Sequence, residues 1–330
     1  MLQLYDLAGI YFRAFYAVPT SMASPDGRPV NAIRGSLDIL ARVISDARPS
    51  RGIACLDVDW RPAWRVELLP SYKAHRVAVT EPSPPILANV TGAALGAAVG
   101  AQPGAVAESE PDELSPQVPV LLDVLRAIGI ALAGADGCEA DDVIGTLAAR
   151  EAADPVEVVS GDRDLFQLVR TGPPPVTVRY IGAGMSKVAM LDVESLRDRY
   201  GVDGPGYAAM ATLRGDPSDG LPGVPGIGEK TAADLIGRFG SIEALLDAAA
   251  DPASALTPAV RKRLLAAAEY LPAAVRVVAV RTDADLAHEP ATGTGELPRE
   301  PVEPDVLADL VAAHGIGGSV QRLLAALADR

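Results

Sequence analysis

Two short apolar runs, Leu2-Gln3-Leu4-Tyr5-Asp6 and Gly52-Ile53-Ala54-Cys55-Leu56-Asp57, each end on an aspartate. A brief apolar stretch bounded by glycine or a polar residue suits a strand buried on both faces, as in a parallel sheet. Ala131-Leu132-Ala133 and Val156-Glu157-Val158-Val159-Ser160 read as two more such strands. Helical stretches lie between them, around Tyr11 to Ala17, Asn31 to Ala47, Val118 to Ile128 and Glu139 to Glu151, and another starts over Asp164 to Val169. This alternation predicts an α/β fold with a mostly parallel sheet flanked by helices.

Seven further acids crowd into three clusters: Glu139-Ala140-Asp141-Asp142, Asp162-Arg163-Asp164 and Asp216-Pro217-Ser218-Asp219. Asp6, Asp57 and Asp162 fall at or just past strand ends, where open α/β sheets place their ligands. Glu139, Asp141 and Asp142 begin a helix, whose positive end partly offsets their charge. A single acid at such a position reads equally well as a helix cap, but capping uses one acid per helix start. Carboxylates crowded at a few ångströms repel unless cations share the space. Oxygen donors without His or Cys favour Mg²⁺ or Mn²⁺ over zinc, and a pair of such ions suits phosphodiester hydrolysis.

A net charge of −14 argues against nucleic acid taken alone. Bound divalent ions cancel part of it, and the local balance reverses between Arg61 and Arg76. There Arg61, Arg65, Lys73 and Arg76 face one acid, Glu67, with Trp60, Trp64 and Tyr72 interleaved as in nucleic-acid grooves. The competing reading is a solvated helix face, with Trp60 and Trp64 packed in the core. Cys55 and Cys138 give no disulfide framework. No apolar run nears the roughly 18 residues of a membrane span, so the expectation is a cytoplasmic protein.

After Gly201 the pattern turns all-helical. Leu221-Pro-Gly-Val-Pro-Gly-Ile-Gly-Glu-Lys-Thr-Ala232 reads as a glycine hairpin opening a helix, with Lys230 and Thr231 in its first turn. Gly226 and Gly228 let backbone approach a phosphate, and the free N–H groups of a helix start favour an anion. This is a helix-hairpin-helix signature for sequence-independent contact with a DNA backbone. The expected organisation is an α/β core over 1–200, a helical DNA-binding unit over 201–280, and an acidic linker with terminal helices over 281–330.

In order and spacing, GCEADDVIGTLA from Gly137, VVSGDRDLFQLV from Val158, LRGDPSDGLPGVPGIGEKTAADLI from Leu213 and SYKAHR from Ser71 resemble the 5′ nuclease family. That family comprises the 5′→3′ exonuclease domain of bacterial DNA polymerase I, its stand-alone relatives and the flap endonucleases. The resemblance implies a twisted sheet of the PIN-like kind, with a helical arch over the active site from about 60 to 117. It implies one metal held by Asp6, Asp57, Glu139, Asp141 and Asp162. A second would be held by Asp164, Asp216 and Asp219 with help from the Glu139 cluster, Asp142 standing behind the others. Arg13, Lys73 and Arg76 would engage the scissile phosphate and the 5′ end, Tyr72 and the hairpin from Gly226 to Thr231 the DNA, with a K⁺ ion at the hairpin carbonyls.

The implied substrate is DNA with 5′ ends, nicks or flaps, cut by a nucleoid-associated monomer in replication and repair. Three departures or absences accompany the match. Leu7-Ala8-Gly9 replaces the usual run after the first aspartate, and the segment between Val77 and Gln117 is unusually rich in Ala, Gly and Pro. The chain also stops where a polymerase would continue, as in a stand-alone form. The alternatives are a non-catalytic DNA-binding relative, which would have lost acids of the second group, and a PIN-like ribonuclease, which would lack the glycine hairpin.

Overall fold

The computed structural model describes residues 1–77, 111–290 and 294–330; most of the expected arch, 78–110, lies outside the described residues. Seven strands form one sheet in the order β6-β5-β4-β1-β2-β3-β7. These are β1 (Leu2–Asp6), β2 (Arg51–Cys55), β3 (Ala131–Ala135), β4 (Val156–Ser160), β5 (Val176–Tyr180), β6 (Ala189–Leu191) and β7 (Leu286–Glu289). The five central strands run parallel, and β6 and β7 close the two edges antiparallel.

Strand order turns back at β1, which pairs with β2 on one side and β4 on the other. Carboxyl ends of strands part at such a reversal and leave a crevice. Side chains alternate across the sheet as its pleat requires. Leu2, Leu4, Ile53, Cys55, Val156 and Val158 join one core, while Tyr5, Ala54, Leu56 and Val159 join the other.

One face carries α1 (Leu7–Ala17), α2 (Asn31–Ala47) and α4 (Gln117–Ile128), and the final helices α12 (Pro304–His314) and α13 (Gly317–Ala328) pack there too. Short α3 (Ala63–Leu68) and a 3₁₀ turn, Ala74–Arg76, precede α4. The other face carries α5 (Ala140–Arg150) and the helices that follow β6. These are α6 (Val193–Tyr200), α7 (Gly204–Arg214), α8 (Glu229–Phe239), α9 (Ile242–Ala250), α10 (Pro258–Ala266) and α11 (Tyr270–Val278).

Three sequence expectations change. Asp164–Leu168 is a 3₁₀ turn rather than the start of an α-helix. The stretch over 281–305 is not wholly a linker, because β7 within it pairs with β3 and its backbone groups complete the sheet edge. Asp6 runs straight into α1, accepting the Gly9 N–H at 2.8 Å. A Cβ on Gly9 would meet the Asp6 carboxylate at 2.2 Å, which accounts for glycine in the departing Leu7-Ala8-Gly9 run.

Candidate active site

Asp6, Asp57, Glu139, Asp141 and Asp162 line one cleft of about 530 Å³, together with Arg13, Lys73 and Arg76. The sheet reversal places two of the acids. Asp6 leaves β1 and Asp162 follows β4, and the Ser160 hydroxyl links them, donating to Asp6 Oδ2 at 2.6 Å and accepting the Asp162 N–H at 2.9 Å. Asp57 follows β2 and accepts the Ala140 N–H at 3.1 Å, which ties it to the start of α5.

Like charges at close quarters make the carboxylates hold protons more tightly than usual. Burial, then the charges of Asp162, Asp6 and Glu139, push Asp141 well above the ordinary carboxylate range. Burial also raises Asp6 against the hydrogen bonds from Ser160 and Gly9. For Asp162 the enclosing protein comes first and Asp6 adds to it.

Glu139 is the exception. Against the penalty of burial, Lys73 and Arg65 hold it below its usual range. Lys73 donates to Oε2, while Tyr72 O–H and Arg65 Nη1 donate to Oε1 at 2.7 and 2.9 Å. Arg65, buried in α3, also forks onto Asp142 at 2.8 and 2.7 Å and donates to the Val277 carbonyl of α11 at 3.1 Å. One guanidinium thus joins α3, the acid-bearing start of α5 and the last helix of the following unit.

The second acid group is built on turns. Asp216 caps the 3₁₀ turn Pro217–Asp219 and Asp219 ends it, while Asp164 begins another. Burial, then Asp162, Asp219 and Asp216, raise Asp164 well above the normal range. Asp219 is pushed up to about 6, by burial above all. The SYKAHR segment docks on this turn. Lys73 N–H donates to the Asp219 carbonyl at 2.9 Å, and Arg76 reaches Ser218 O and Asp219 Oδ1 at 2.7 and 2.9 Å. Gly220 has φ +70°, and a Cβ there would lie 2.2 Å from the Ser71 carbonyl, so the close approach requires glycine.

The glycine hairpin lies immediately beyond. Val224 N–H donates to Leu213 O, while Asp216 and Leu221 exchange both backbone bonds, all at 2.8 Å. Gly228 caps α8, whose first turn carries Glu229, Lys230 and Thr231. Gly226, Gly228, Lys230 and Thr231 are exposed, as a backbone-gripping surface requires. A donor set made wholly of carboxylates, several of them holding protons more tightly than usual, fits hard divalent ions. Among the described residues, no three acids stand close enough together to hold an ion in the present side-chain arrangement. Glu139 faces Lys73, Asp216 turns to Ser218, and Asp219 to Arg76.

Two family descriptions divide most of the chain. "5'-3' exonuclease, N-terminal resolvase-like domain" matches residues 1–201, and "5'-3' exonuclease, C-terminal SAM fold" matches residues 202–300. The chain belongs to the 5′-3′ exonuclease family. Among curated relatives of this exonuclease, a Streptomyces coelicolor "5'-3' exonuclease" is 52% identical over 98% of this chain and 99% of its own. A Mycobacterium tuberculosis protein of the same name is 48% identical over 99% and 97%. DNA polymerase I of Mycobacterium bovis is 36% identical over 74% of this chain and 24% of its own. The fold is that of the bacteriophage T5 D15 flap endonuclease solved with DNA and metal ions (TM-score 0.59, 17% identity, 100% and 99% coverage). It is also that of the Rad2 catalytic core (TM-score 0.58, 16% identity, 98% and 91% coverage).

Two expected site residues of this exonuclease need correction. Asp142 is not placed to hold a metal, because it has no exposed surface and both its oxygens face Arg65. Tyr72 is not placed to stack on DNA. Its ring is buried with Arg65 and Lys73 against it, and its hydroxyl is spent on Glu139. Arg13 reaches the cleft edge beside Asp162, donating to the Gly182 carbonyl at 2.9 Å, and a Cβ on Gly161 would meet it at 2.5 Å. In the sequence Arg65 is one base of a cationic stretch. No motif spacing shows its role, since its acids lie in a distant cluster. Among the described residues no helix is long and apolar enough to cross a membrane.

Proposed function

We propose that this chain hydrolyses DNA phosphodiester bonds as a metal-dependent 5′→3′ exonuclease and flap endonuclease, acting on 5′ ends, nicks and flaps in replication and repair. The carrying observation is one cleft that holds Asp6, Asp57, Glu139, Asp141 and Asp162 with the bases Lys73, Arg76 and Arg13. The names and full-length match of the Streptomyces and Mycobacterium relatives support the activity. The T5 enzyme's complex with DNA and metal ions supports the substrate class.

Asp6, Asp57, Glu139, Asp141 and Asp162 would hold one Mg²⁺ or Mn²⁺, and Asp164, Asp216 and Asp219 the other. Such ions lower the pKa of bound water and stabilise charge on the attacked phosphate. The residues of this chain supply the rest. Lys73 and Arg76 bring positive charge to the cleft, where the phosphate gains negative charge. The hairpin and the first turn of α8 hold duplex backbone through N–H groups and Lys230, so strand ends and junction shape, rather than base identity, set specificity. We place the protein, as a monomer, in the cytoplasm with the nucleoid.

A labelled 5′ flap and a nicked duplex, incubated with Mg²⁺ with and without chelator, test this. Cleavage should vanish with chelator. Asp141→Ala and Asp162→Ala should each lose about 10²–10³-fold in kcat, the scale on which removal of a transition-state charge contact is felt. Unchanged activity in both variants would remove the site assignment. Wild-type protein that binds but never cuts DNA would leave the reading of a catalytically inactive DNA-binding relative.

A further inference from the structure

Glu229, the first residue of α8, lies between Gly228 and Lys230 of the hairpin, yet its carboxylate turns away from them toward two arginines. Arg163 Nη2 and Arg214 Nη1 both donate to Glu229 Oε2, at 2.9 and 3.2 Å. Each arginine belongs to an acid-bearing turn. Arg163 stands between Asp162 and Asp164, and Arg214 ends α7 two positions before Asp216.

Arg163 is fixed independently, because Nε donates to the Tyr207 hydroxyl at 3.0 Å and the guanidinium lies 5.1 Å over the Tyr200 ring. Arg214 also meets the Tyr207 hydroxyl, donates to the neighbouring Gly215 carbonyl at 3.1 Å, and makes a long ion pair from Nη2 to Asp216 Oδ2 at 3.9 Å. Without the Glu229 charge the two guanidiniums would repel each other. Arg163 is packed against both Tyr200 and Tyr207, so Arg214 is the one able to shift, along the ion pair it already makes with Asp216.

We propose that Glu229 is a positioning residue that keeps Arg214 from closing its long contact with Asp216 into a tight ion pair, and so leaves the turn-borne acids available to a divalent cation. An ordinary surface ion pair would instead contribute little and affect nothing downstream. Three features set this pair apart: two cations share one oxygen, one of them has a waiting acid, and the backbone joins all the parts. The hairpin is knit to the Asp216 turn by the bonds from Val224 to Leu213 and between Asp216 and Leu221. Gly223 has φ +63°, and a Cβ there would fall 2.5 Å from the Arg214 carbonyl. The hairpin that grips DNA therefore carries the residue that keeps the second acid group open.

The inference rests on the metal-dependent reading above but is tested apart from it. Mn²⁺ binding to DNA-free protein is measured by electron paramagnetic resonance for wild type, Glu229→Gln, Arg214→Ala and the double variant. Glu229→Gln should weaken the Mn²⁺ equilibrium about tenfold, the equivalent of one charge contact, and the double variant should recover most of that loss. Flap cleavage should show the same shift in half-saturating Mn²⁺. An unchanged Mn²⁺ equilibrium overturns the proposal, and so does a loss that Arg214→Ala fails to relieve. Loss of DNA affinity in place of metal affinity would make Glu229 a hairpin-shaping residue and also overturn it. If wild type cuts no DNA, the nuclease reading fails while the Mn²⁺ measurement still decides this one.

Discussion

The acids borne by the sheet and those borne by the turns differ in what holds them in place. Asp6, Asp57 and Asp162 are fixed by strand register and the chain reversal at β1, and Glu139 by a buried cage of Arg65, Tyr72 and Lys73. Asp216 is held chiefly by its own turn, through the Ser218 N–H at 2.8 Å and the Ser218 hydroxyl. Asp219 is held by docking of the SYKAHR segment and Arg76. The sheet-borne group is part of the folding core. The turn-borne group is local geometry that must be kept ready by its neighbours.

The largest effect that separates the groups is on stability. Arg65→Ala leaves Asp142, fully buried, and Glu139 without the guanidinium that pairs both. Stranding a buried charge costs about 3–5 kcal/mol. Asp216→Asn should change stability by no more than about 1 kcal/mol, because Ser218 keeps an oxygen to donate to. Chemical denaturation in chelator measures both. Equal midpoints for Arg65→Ala and wild type would mean that the sheet-borne acids do not depend on the core as argued.

A smaller effect concerns pH. Asp219 binds its proton more tightly folded, near 6, than unfolded, near 3.8. A raised folded pKa means that the contribution is fully present below the unfolded value and is lost as pH rises through the folded one. Metal-free protein should therefore lose roughly 2 kcal/mol from this residue between about pH 4 and 6.5. Mg²⁺ at pH 7 should restore stability by binding the folded state. Thermal melts across this range, with and without chelator, check it. Asp219→Asn should flatten the difference, and a variant that retains the full wild-type slope would assign it to other acids.

What could be read from the chain follows the same division. Strands closed by an acid, the helix over Asn31–Ala47 and the glycine hairpin are local patterns, and the structure has them where the sequence places them. Asp141 and Asp142 look equivalent in sequence, but neighbours on a helix diverge by about 100°. Which one faces the cleft is decided by Arg65, on a different element. Tyr72 lies among bases as a stacking residue would, and the bases it meets turn out to be Arg65 and Lys73 of its own chain. β7 is four half-buried residues whose partner, β3, lies more than a hundred positions earlier. Long-range partners, not local pattern, decide each of these placements.

The smallest contrast sets the two aromatic and basic contacts against each other. Tyr72→Phe removes one hydroxyl that donates to Glu139 at 2.7 Å, so it should cost about 1 kcal/mol of stability and leave affinity for duplex DNA unchanged. Lys230→Ala removes an exposed charge beside the hairpin. Its stability should stay within about 0.5 kcal/mol, while DNA binding weakens a few-fold and the salt slope falls by about one. Anisotropy titrations at several salt concentrations, beside thermal melts, separate the two. A loss of DNA affinity in Tyr72→Phe as large as in Lys230→Ala would return that ring to the DNA surface. A salt slope unchanged in Lys230→Ala would move the phosphate contact elsewhere on the hairpin, because a charge that releases no counterion touches no phosphate.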